Sequence, residues 1–329
     1  MTTLVDSLGL AHLTGDLERV EQALREAVHS DDPLLSGVAA HLVSAGGKRV
    51  RPMLTLCAAY AGATDGGDSP ARDEAITGGA AVELVHLGSL YHDDVIDEAE
   101  TRRGVPSVNA RWSNVVAILA GDYLLAAASE HAASLGADVA ALLARTIGDL
   151  CRGEVLELQH LFDTSRTEES YLSAIAGKTA ALFATSCRIG GMVAGVSPSA
   201  LEALTSFGHH LGMGFQIVDD VLDLTGTDAS LGKPAGQDLT EGVYTLPVIY
   251  ALDRSAELRE SIGGPIEQSS LDHLRGLVTD EGATGAALDV ARAQAKRADE
   301  TLAAAGDELD AGMRAILRGL VEGLVTRQA

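Results

Sequence analysis

Carboxylate side chains crowd the segment 92–104, HDDVIDEAETRRG, in a chain otherwise rich in Ala, Leu, Val and Gly. The residues before it have helical character. At about 100° per residue, His86, Asp93 and Asp97 fall near one stripe, with Asp94 just beside it. Carboxylates this close repel one another unless a multivalent cation neutralises them. The segment therefore predicts a cation site at the end of a helix.

Basic side chains stand where they could hold phosphate. Arg102 and Arg103 follow the carboxylates at once, and forked guanidiniums suit phosphate oxygens. The chain has only four lysines, and three of them lie in Gly-containing motifs, namely Lys48, Lys178 and Lys233. Solvated lysines would be scattered, so this placement predicts a concentrated positive site for an anion.

A second acidic motif repeats the first. Segment 216–223, QIVDDVLD, again sets a DDxxD pattern in an apolar helical run. One such motif could be a solvated acidic helix end, but two make chance a poor explanation. Two Asp-rich turns in a helical chain could face each other across a bundle, as carboxylate metal sites do. Hard oxygen ligands select Mg²⁺ or Mn²⁺, and Mg²⁺ keeps waters and bridges substrate phosphates.

Apolar periodicity favours helices along the whole chain. Few β-branched alternations appear, and no linker or composition shift divides the sequence, so we predict an all-α fold with residues 1–329 as one domain. Helices are expected over about 107–133 and about 167–190, among others. Lys178 and Thr179 break the apolar pattern of the second, where an unpaired ammonium would be costly.

The composition excludes some classes of partner. A net charge of −23 argues against nucleic acid binding and against a constitutive hold on anionic lipid. No uncharged apolar run approaches the roughly 20 residues of a membrane span, so we expect no stable membrane insertion. Three widely spaced cysteines and the lack of a signal pattern favour buried, reduced thiols and a cytoplasmic location.

With these motifs the sequence resembles the trans-type polyprenyl diphosphate synthases. The resemblance runs from about Gly46 to Pro247. Its motifs are GGKRVRP at 46–52, the two DDxxD motifs, GKT at 177–179, GKP at 232–234 and GQDL at 236–239. It implies one large helical bundle around a central cavity, and a homodimer. It also implies condensation of isopentenyl diphosphate with an allylic diphosphate through an allylic carbocation, with release of diphosphate.

The resemblance also implies a role for each motif residue. Three Mg²⁺, which Mn²⁺ could replace, are expected on Asp93, Asp97 and Asp219. Waters and ligands around them would be oriented by Asp94, Asp220, Asp223 and Asp238. Isopentenyl diphosphate would be held by Lys48, Arg51, His86 and Arg103. The allylic diphosphate would be held by Arg102, Lys178 and Lys233. The allylic cation would be stabilised at Thr179 and Gln216, and these two residues and Lys178 are the expected catalytic residues.

The sequence departs from the family pattern at one position. Family members commonly carry a further lysine before the Thr-Leu-Pro turn, where this chain has Val243. One phosphate contact is thus missing. We expect activity to persist on the remaining cations, with a weaker KM for the allylic substrate.

Small residues upstream of Asp93 bear on product length. In short-chain relatives a bulky aromatic one turn before the first Asp closes the pocket for the hydrocarbon tail. Here that turn offers Gly88 and Ser89, with Val85 deeper, whereas Tyr91 points elsewhere on the helix. One helical turn of about 5.4 Å roughly matches one isoprene unit. We therefore predict a long product, about C30 or beyond.

Three alternatives stay open. The chain could be a short-chain synthase, about C15 to C20, if another helix closes the pocket. It could be the catalytic subunit of a heteromeric synthase. A cyclising terpene synthase fits less well, because such enzymes typically lack both the second full DDxxD and the Lys48/Arg51 pair.

Overall fold

The structure is a computed structural model that describes residues 8–63, 67–227, 235–280 and 282–325. Helices α1 to α8 are Leu13–Ala27, Pro33–Ser44, Val50–Ala61, Asp73–Ile96, Val108–Arg111, Asn114–Ser134, Ala137–Leu158 and Glu168–Ile175. Helices α9 to α16 are Ala181–Ala194, Pro198–Thr225, Gln237–Glu241, Leu246–Leu252, Ala256–Ser261, Leu271–Asp280, Ala283–Ala305 and Ala311–Val325. A π-helical turn, Ala176–Ala180, joins α8 to α9, and Gln268–Ser270 and Gly306–Glu308 are 3-10 turns.

Strand pairing in the described ranges is limited to one small hairpin. Strands β1 (Thr101–Arg102) and β2 (Val105–Pro106) are antiparallel, with Thr101 opposite Pro106 and Arg102 opposite Val105. The all-α prediction is confirmed.

Local sequence explains where several helices begin. In α2, Pro33 occupies the first turn, and the Asp32 carboxylate accepts hydrogen bonds from the N–H groups of Leu34 and Leu35 at 2.8 and 3.0 Å. In α8, the Thr167 hydroxyl accepts from the N–H of Ser170 at 3.1 Å. These caps satisfy amide groups that the first turn of a helix leaves without partners.

Contacts divide the chain into two compact units. The first comprises Met1–Ile147, Leu182–Gly208 and Thr301–Gly319. In it, α4 packs against α1, α3 and α6. A run of small residues in α4, from Gly78 to Ala81, is buried and lets these neighbours lie close. This unit carries the first Asp-rich motif at the carboxyl end of α4.

The second unit comprises Gly148–Ala181, His209–Glu300 and Leu320–Ala329. Its hydrophobic core gathers residues from α10 to α15, including Leu224, Leu239, Tyr244, Val248, Leu274 and Val278. It carries the π-turn and the second Asp-rich motif. The single-domain interpretation of the sequence stays a prediction.

Two predicted helices differ from the structure. The stretch 107–133 is divided at Trp112, and Ser113 starts the longer α6 by accepting a hydrogen bond from the N–H of Val116 at 3.2 Å. The stretch predicted from Thr167 is interrupted by the π-turn at Ala176–Ala180. In both places a local backbone change intervenes that apolar spacing does not reveal.

The thiols and the apolar helices are also only partly as predicted. Cys57 and Cys187 are buried and free, but Cys151 is exposed on α7, so the expectation of three buried thiols was wrong for that residue. Within the described ranges, α6 alone is long and apolar enough to cross a membrane by length and composition. That is weak evidence for a span, because core helices pass the same test.

Candidate active site

The loop before α3 is fixed by a buried guanidinium. Arg49 adopts a left-handed backbone conformation, φ 47°, and its side chain is buried. Its Nη1 donates to Glu83 Oε1 at 2.8 Å, its Nη2 donates to the carbonyl of Val43 at 3.1 Å, and its Nε donates to Glu21. These bonds hold the backbone that presents the neighbouring Lys48 and Arg51.

Arg103 reaches the same loop from the β-hairpin. Its Nη1 donates to the carbonyl of Gly46 and, at 3.4 Å, to that of Leu42. A Cβ on Gly47 would lie 2.8 Å from that nitrogen, so any larger residue there would have to displace the guanidinium. Arg103, which is predicted to bind isopentenyl diphosphate, therefore also packs against the loop that carries Lys48.

Positive charge is concentrated around His86. The pKa of His86 is lowered well below its usual range by burial and then by the guanidiniums of Arg51 and Arg103. Burial lowers the pKa of Arg51 to about 10, against the pull of Glu83. The Arg51 guanidinium carbon also lies 5.2 Å from the centre of the Phe183 ring. A neutral imidazole among guanidiniums is an environment suited to an anion.

In the first Asp-rich motif, Asp94 differs from its neighbours. Asp94 is fully buried and accepts from Arg102 Nε at 2.6 Å. Burial raises its pKa, and the charge and hydrogen bond of Arg102 oppose that rise. Asp93 is half-buried, and Asp97, which caps the end of α4, is exposed. The motif thus separates one internally paired carboxylate from two that lie nearer the surface.

His92 fixes the last turn of α4 against α6. Its ring Nε2 lies 3.2 Å from the carbonyl of Ile118 and 3.4 Å from Asp122 Oδ1. A Cβ on Gly121 would lie 2.6 Å from the ring Cδ2. The glycine therefore provides the space in which the residue before Asp93 packs.

In the second Asp-rich motif two carboxylates, Asp220 and Asp223, are buried. Asp220 is buried, and its two oxygens accept from the Tyr171 hydroxyl at 2.5 Å and from Gln216 Nε2 at 2.7 Å. Thr179 Oγ1 donates to Gln216 Oε1 at 2.7 Å. Burial raises the pKa of Asp220 to about 7, and the two donors oppose that rise. Asp219 is exposed.

Asp223 connects this motif to α11. Its backbone carbonyl accepts from the N–H of Gly236 at 2.8 Å, and its Oδ2 accepts from the N–H of Asp238 at 3.3 Å. The carbonyl of Asp238 accepts from the N–H of Val243 at 2.8 Å. The predicted residues Asp223 and Asp238 are therefore together, with Val243 next to them. Lys233 lies outside the described residues.

Lys178 is paired with two carboxylates that the sequence did not point out. Its Nζ lies 2.9 Å from Glu154 Oε2 and 2.5 Å from Glu157 Oε1, both on α7. The approach needs glycine: a Cβ on Gly153 would lie 2.7 Å from the carbonyl of Ala174, and one on Gly177 would lie 2.7 Å from that of Asp149. Lys178 and Thr179, the polar residues in this otherwise apolar stretch, both lie in the π-turn.

The residues predicted to set chain length lie on two sides of α4. Val85 is buried, and the Ser89 hydroxyl donates to the carbonyl of His86 at 2.9 Å. Gly88 instead packs against α6, where a Cβ would lie 3.1 Å from the carbonyl of Gly121. The open space predicted at Gly88 is therefore taken up by α6, while the role of Val85 and Ser89 in chain length stays a prediction.

Tyr91 packs away from Asp93, as predicted. It is fully buried, and its hydroxyl donates to the carbonyl of Val38 in α2 at 2.7 Å.

Metal ligation by protein atoms alone is not visible in the described residues, where no three His, Cys, Asp or Glu side chains cluster closely enough to hold an ion. The carboxylates that are present still fit Mg²⁺, which takes one or two carboxylates and completes its shell with water and substrate phosphates.

Comparison with known proteins assigns the chain to a family. A family model described as Polyprenyl synthetase matches residues 32–276. The chain belongs to the polyprenyl synthetase family. Like its relatives it is a trans-polyprenyl diphosphate synthase, a prenyltransferase of isoprenoid biosynthesis.

Individual members of the family are similar over most of their length. The chain is 46% identical over 241 residues to heptaprenyl diphosphate synthase component 2 of Geobacillus stearothermophilus, which covers 73% of each. It is 39% identical over 271 residues to nonaprenyl diphosphate synthase of Mycobacterium tuberculosis, covering 81% of this chain and 79% of that one.

Solved structures agree with the fold. A polyprenyl synthase from Caulobacter crescentus, complexed with calcium and isoprenyl diphosphate, superposes with a TM-score of 0.90 at 34% identity. The match covers 99% of this chain and 98% of that one. A decaprenyl diphosphate synthase from Rhodobacter capsulatus gives a TM-score of 0.87 at 36% identity, covering 98% and 99%.

The close packing of α7 on the π-turn yields a prediction for this synthetase. Gly153→Ala should lower the free energy of unfolding by about 1–3 kcal/mol, because the new methyl group meets backbone atoms. It should also reduce kcat, since the backbone of Lys178 must shift. Gly148→Ala on the same helix is the matched control: its nearest neighbour would be Arg152 Nη1 at 3.5 Å, an ordinary contact. Equal denaturation midpoints and rates for the two variants would contradict the assigned role of the glycine.

Proposed function

We propose that this synthetase elongates an allylic diphosphate with isopentenyl diphosphate, assisted by Mg²⁺, to a product of about C30 or beyond. One observation carries the proposal: each Asp-rich motif buries part of its carboxylates on hydrogen-bond donors, Asp94 in the first and Asp220 and Asp223 in the second, and places the rest nearer the surface. The paired residues, Asp94 and Asp220, are suited to orient waters and ligands. Asp93, Asp97 and Asp219 are suited to ligate Mg²⁺.

Three Mg²⁺ would be held by Asp93, Asp97 and Asp219, and bound metal supplies neutralisation of the leaving diphosphate. The chain's own cations share that task. The C–O bond of the allylic substrate then breaks, and both electrons leave with the diphosphate. The isopentenyl double bond attacks the resulting allylic cation, and the released diphosphate takes the proton that restores a double bond. No side-chain nucleophile is required.

The isopentenyl diphosphate would be held in the first unit. Arg51 and Arg103, both in this unit, lower the pKa of His86 after the effect of burial. The exposed Lys48 follows the glycine pair of the same loop. Because the chain as a whole carries a net charge of −23, such a concentration of positive charge supports a specific anion site.

The allylic diphosphate would be held by Arg102, Lys178 and Lys233. Arg102 is paired with Asp94, and Lys178 with Glu154 and Glu157, so both cations are oriented by carboxylates. Diphosphate carries more negative charge than these carboxylates, so it would compete with them for Arg102 and Lys178. Thr179 and Gln216, which are hydrogen-bonded to each other, are proposed to stabilise the allylic cation with their oxygen dipoles.

The assembly we propose is a homodimer. Val115, Ile118 and Leu119 form an exposed apolar stripe on α6, with exposed fractions of 66%, 44% and 60%. A contiguous apolar stripe on a helix surface is typical of an interaction surface.

A second candidate function is the catalytic subunit of a heteromeric synthase. The observation that favours it is the 46% identity to a protein named as component 2 of a heptaprenyl diphosphate synthase.

Removal of a proposed metal ligand tests the mechanism. Asp93→Ala and Asp219→Ala should each lower kcat/KM at saturating Mg²⁺ by at least about 100-fold, equivalent to about 2.7 kcal/mol for a key electrostatic group. Neither variant should unfold at a lower temperature than the wild type, because removing a carboxylate lessens the repulsion within its motif. Asp289→Ala, an exposed residue of α15 paired with Arg292, is the control and should keep full activity. A variant at 93 or 219 that retained more than a hundredth of the rate would refute the metal assignment.

Product length is tested at Ser89. Ser89→Phe should shorten the main product towards about C15 to C20, because the phenyl ring would fill the space one helical turn before Asp93 where the hydrocarbon tail is proposed to pass. Products are separated by reversed-phase chromatography after removal of the diphosphate. Ser134→Phe, at the exposed end of α6, should leave the length distribution unchanged. An unchanged distribution for a folded, active Ser89→Phe would mean that the tail does not pass this residue.

A further inference from the structure

Tyr171 is hydrogen-bonded to the second Asp-rich motif but belongs to none of the motifs identified in the sequence. It is on α8, its side chain is 1% exposed, and its hydroxyl donates to Asp220 Oδ2 at 2.5 Å. A buried tyrosine hydroxyl usually has a hydrogen-bond partner, but a short bond to a buried carboxylate beside a proposed metal ligand is more specific than that.

We propose that Tyr171 is a positioning residue for the metal–diphosphate site, because its hydroxyl fixes Asp220 and thereby the direction of Asp219. The inference rests on the proposed function of Asp219. It adds a residue from outside the motif to that site.

The geometry leaves Asp220 one orientation. Each of its oxygens has one donor, Tyr171 from α8 and Gln216 from one turn earlier in α10. Gln216 is itself oriented by Thr179 of the π-turn. Three hydrogen bonds of 2.5–2.7 Å therefore tie α8, the π-turn and α10 together. Successive residues of a helix point about 100° apart, so an inward Asp220 sets Asp219 outward.

Tyr171 is itself held on its other side. The guanidinium carbon of Arg166 lies 5.6 Å from the centre of the tyrosine ring, within the range of a cation–π contact. Arg166 Nη1 donates to the carbonyl of Tyr244 at 3.1 Å. Thr167 caps the first turn of α8. The hydroxyl is thus fixed by contacts that do not involve the Asp-rich motif.

Loss of the hydroxyl would leave one oxygen of a buried carboxylate without its donor. Because a buried carboxylate oxygen without a donor is costly, the Asp220 carboxylate would turn towards water or another donor. Asp220 would then rotate, Gln216 would lose its fixed acceptor, and Asp219 would no longer be held for metal. Partners that orient metal ligands typically change metal affinity by about 10- to 100-fold when removed.

A matched pair of tyrosines makes the test specific. Tyr60 is also buried, and its hydroxyl also donates to a buried aspartate, Asp16 Oδ2, at 2.5 Å. That pair lies in the other unit and in none of the motifs. Tyr171→Phe and Tyr60→Phe therefore remove the same kind of hydrogen bond, and Asp16 Oδ2 keeps the N–H of Ala71 as a second donor at 2.7 Å.

The experiment measures binding of Mn²⁺ by electron paramagnetic resonance, with saturating inorganic diphosphate, for the full chain and both variants. We expect Tyr171→Phe to bind Mn²⁺ about 10-fold more weakly than Tyr60→Phe, with KM for isopentenyl diphosphate unchanged in both. Tyr171→His, which restores an N–H donor of shorter reach, should recover part of the affinity. If Tyr171→Phe does not fold, Tyr171→His is compared with the wild type and should bind more weakly.

Equal Mn²⁺ affinities for Tyr171→Phe and Tyr60→Phe would overturn the inference, as would wild-type affinity in Tyr171→His where the Phe variant does not fold. A wild type that binds no Mn²⁺ with diphosphate, and makes no prenyl product, would instead refute the proposed function.

Discussion

Repulsion between neighbouring carboxylates is the constraint on which the rest of this structure depends. Each Asp-rich motif places two adjacent aspartates at the end of a helical run, and the chain already carries a net charge of −23. The fold relieves the repulsion by burying Asp94 in the first motif, and Asp220 and Asp223 in the second, on hydrogen-bond donors. Arg102 donates a hydrogen bond to Asp94, and Tyr171 and Gln216 each donate one to Asp220. We propose that the aspartates nearer the surface, Asp93, Asp97 and Asp219, ligate Mg²⁺.

Glycines leave the room in which several charged side chains of the site pack. Gly47 leaves room for Arg103, Gly121 for His92, and Gly153 with Gly177 lets α7 touch the π-turn. A chain with 3% aromatic residues builds its core from Ala, Leu and Val, so helices can approach closely wherever glycine permits it. The glycines therefore position charged side chains as well as ending helices.

The sequence predicted the helical class and the site residues that belong to local motifs. Asp93, Asp97 and Asp219 could be chosen because DDxxD repeats within a short window. Tyr171 and Glu83 could not, because their partners, Asp220 and Arg49, lie 49 and 34 residues away. No local pattern encodes such a pairing.

Two further failures have local physical causes. Glu154 and Glu157 look like an ordinary helix surface until the π-turn brings Lys178 beside them. The sequence predicted open space at Gly88, because the residues on one face of a helix do not reveal which neighbouring helix packs there; in the structure it is α6. The face-to-face arrangement of the two Asp-rich motifs, and the single domain, stay predictions of the sequence.

The central claim is that this chain by itself, with Mg²⁺, elongates an allylic diphosphate to a long polyprenyl product. It is tested most directly by incubating the purified chain alone with radiolabelled isopentenyl diphosphate and farnesyl diphosphate, with and without a chelator, and separating the products by chromatography. We predict products of about C30 or beyond that disappear when the metal is chelated. Products that stop below about C20, synthesis that persists in chelator, or no synthesis until a second protein is added would contradict the account.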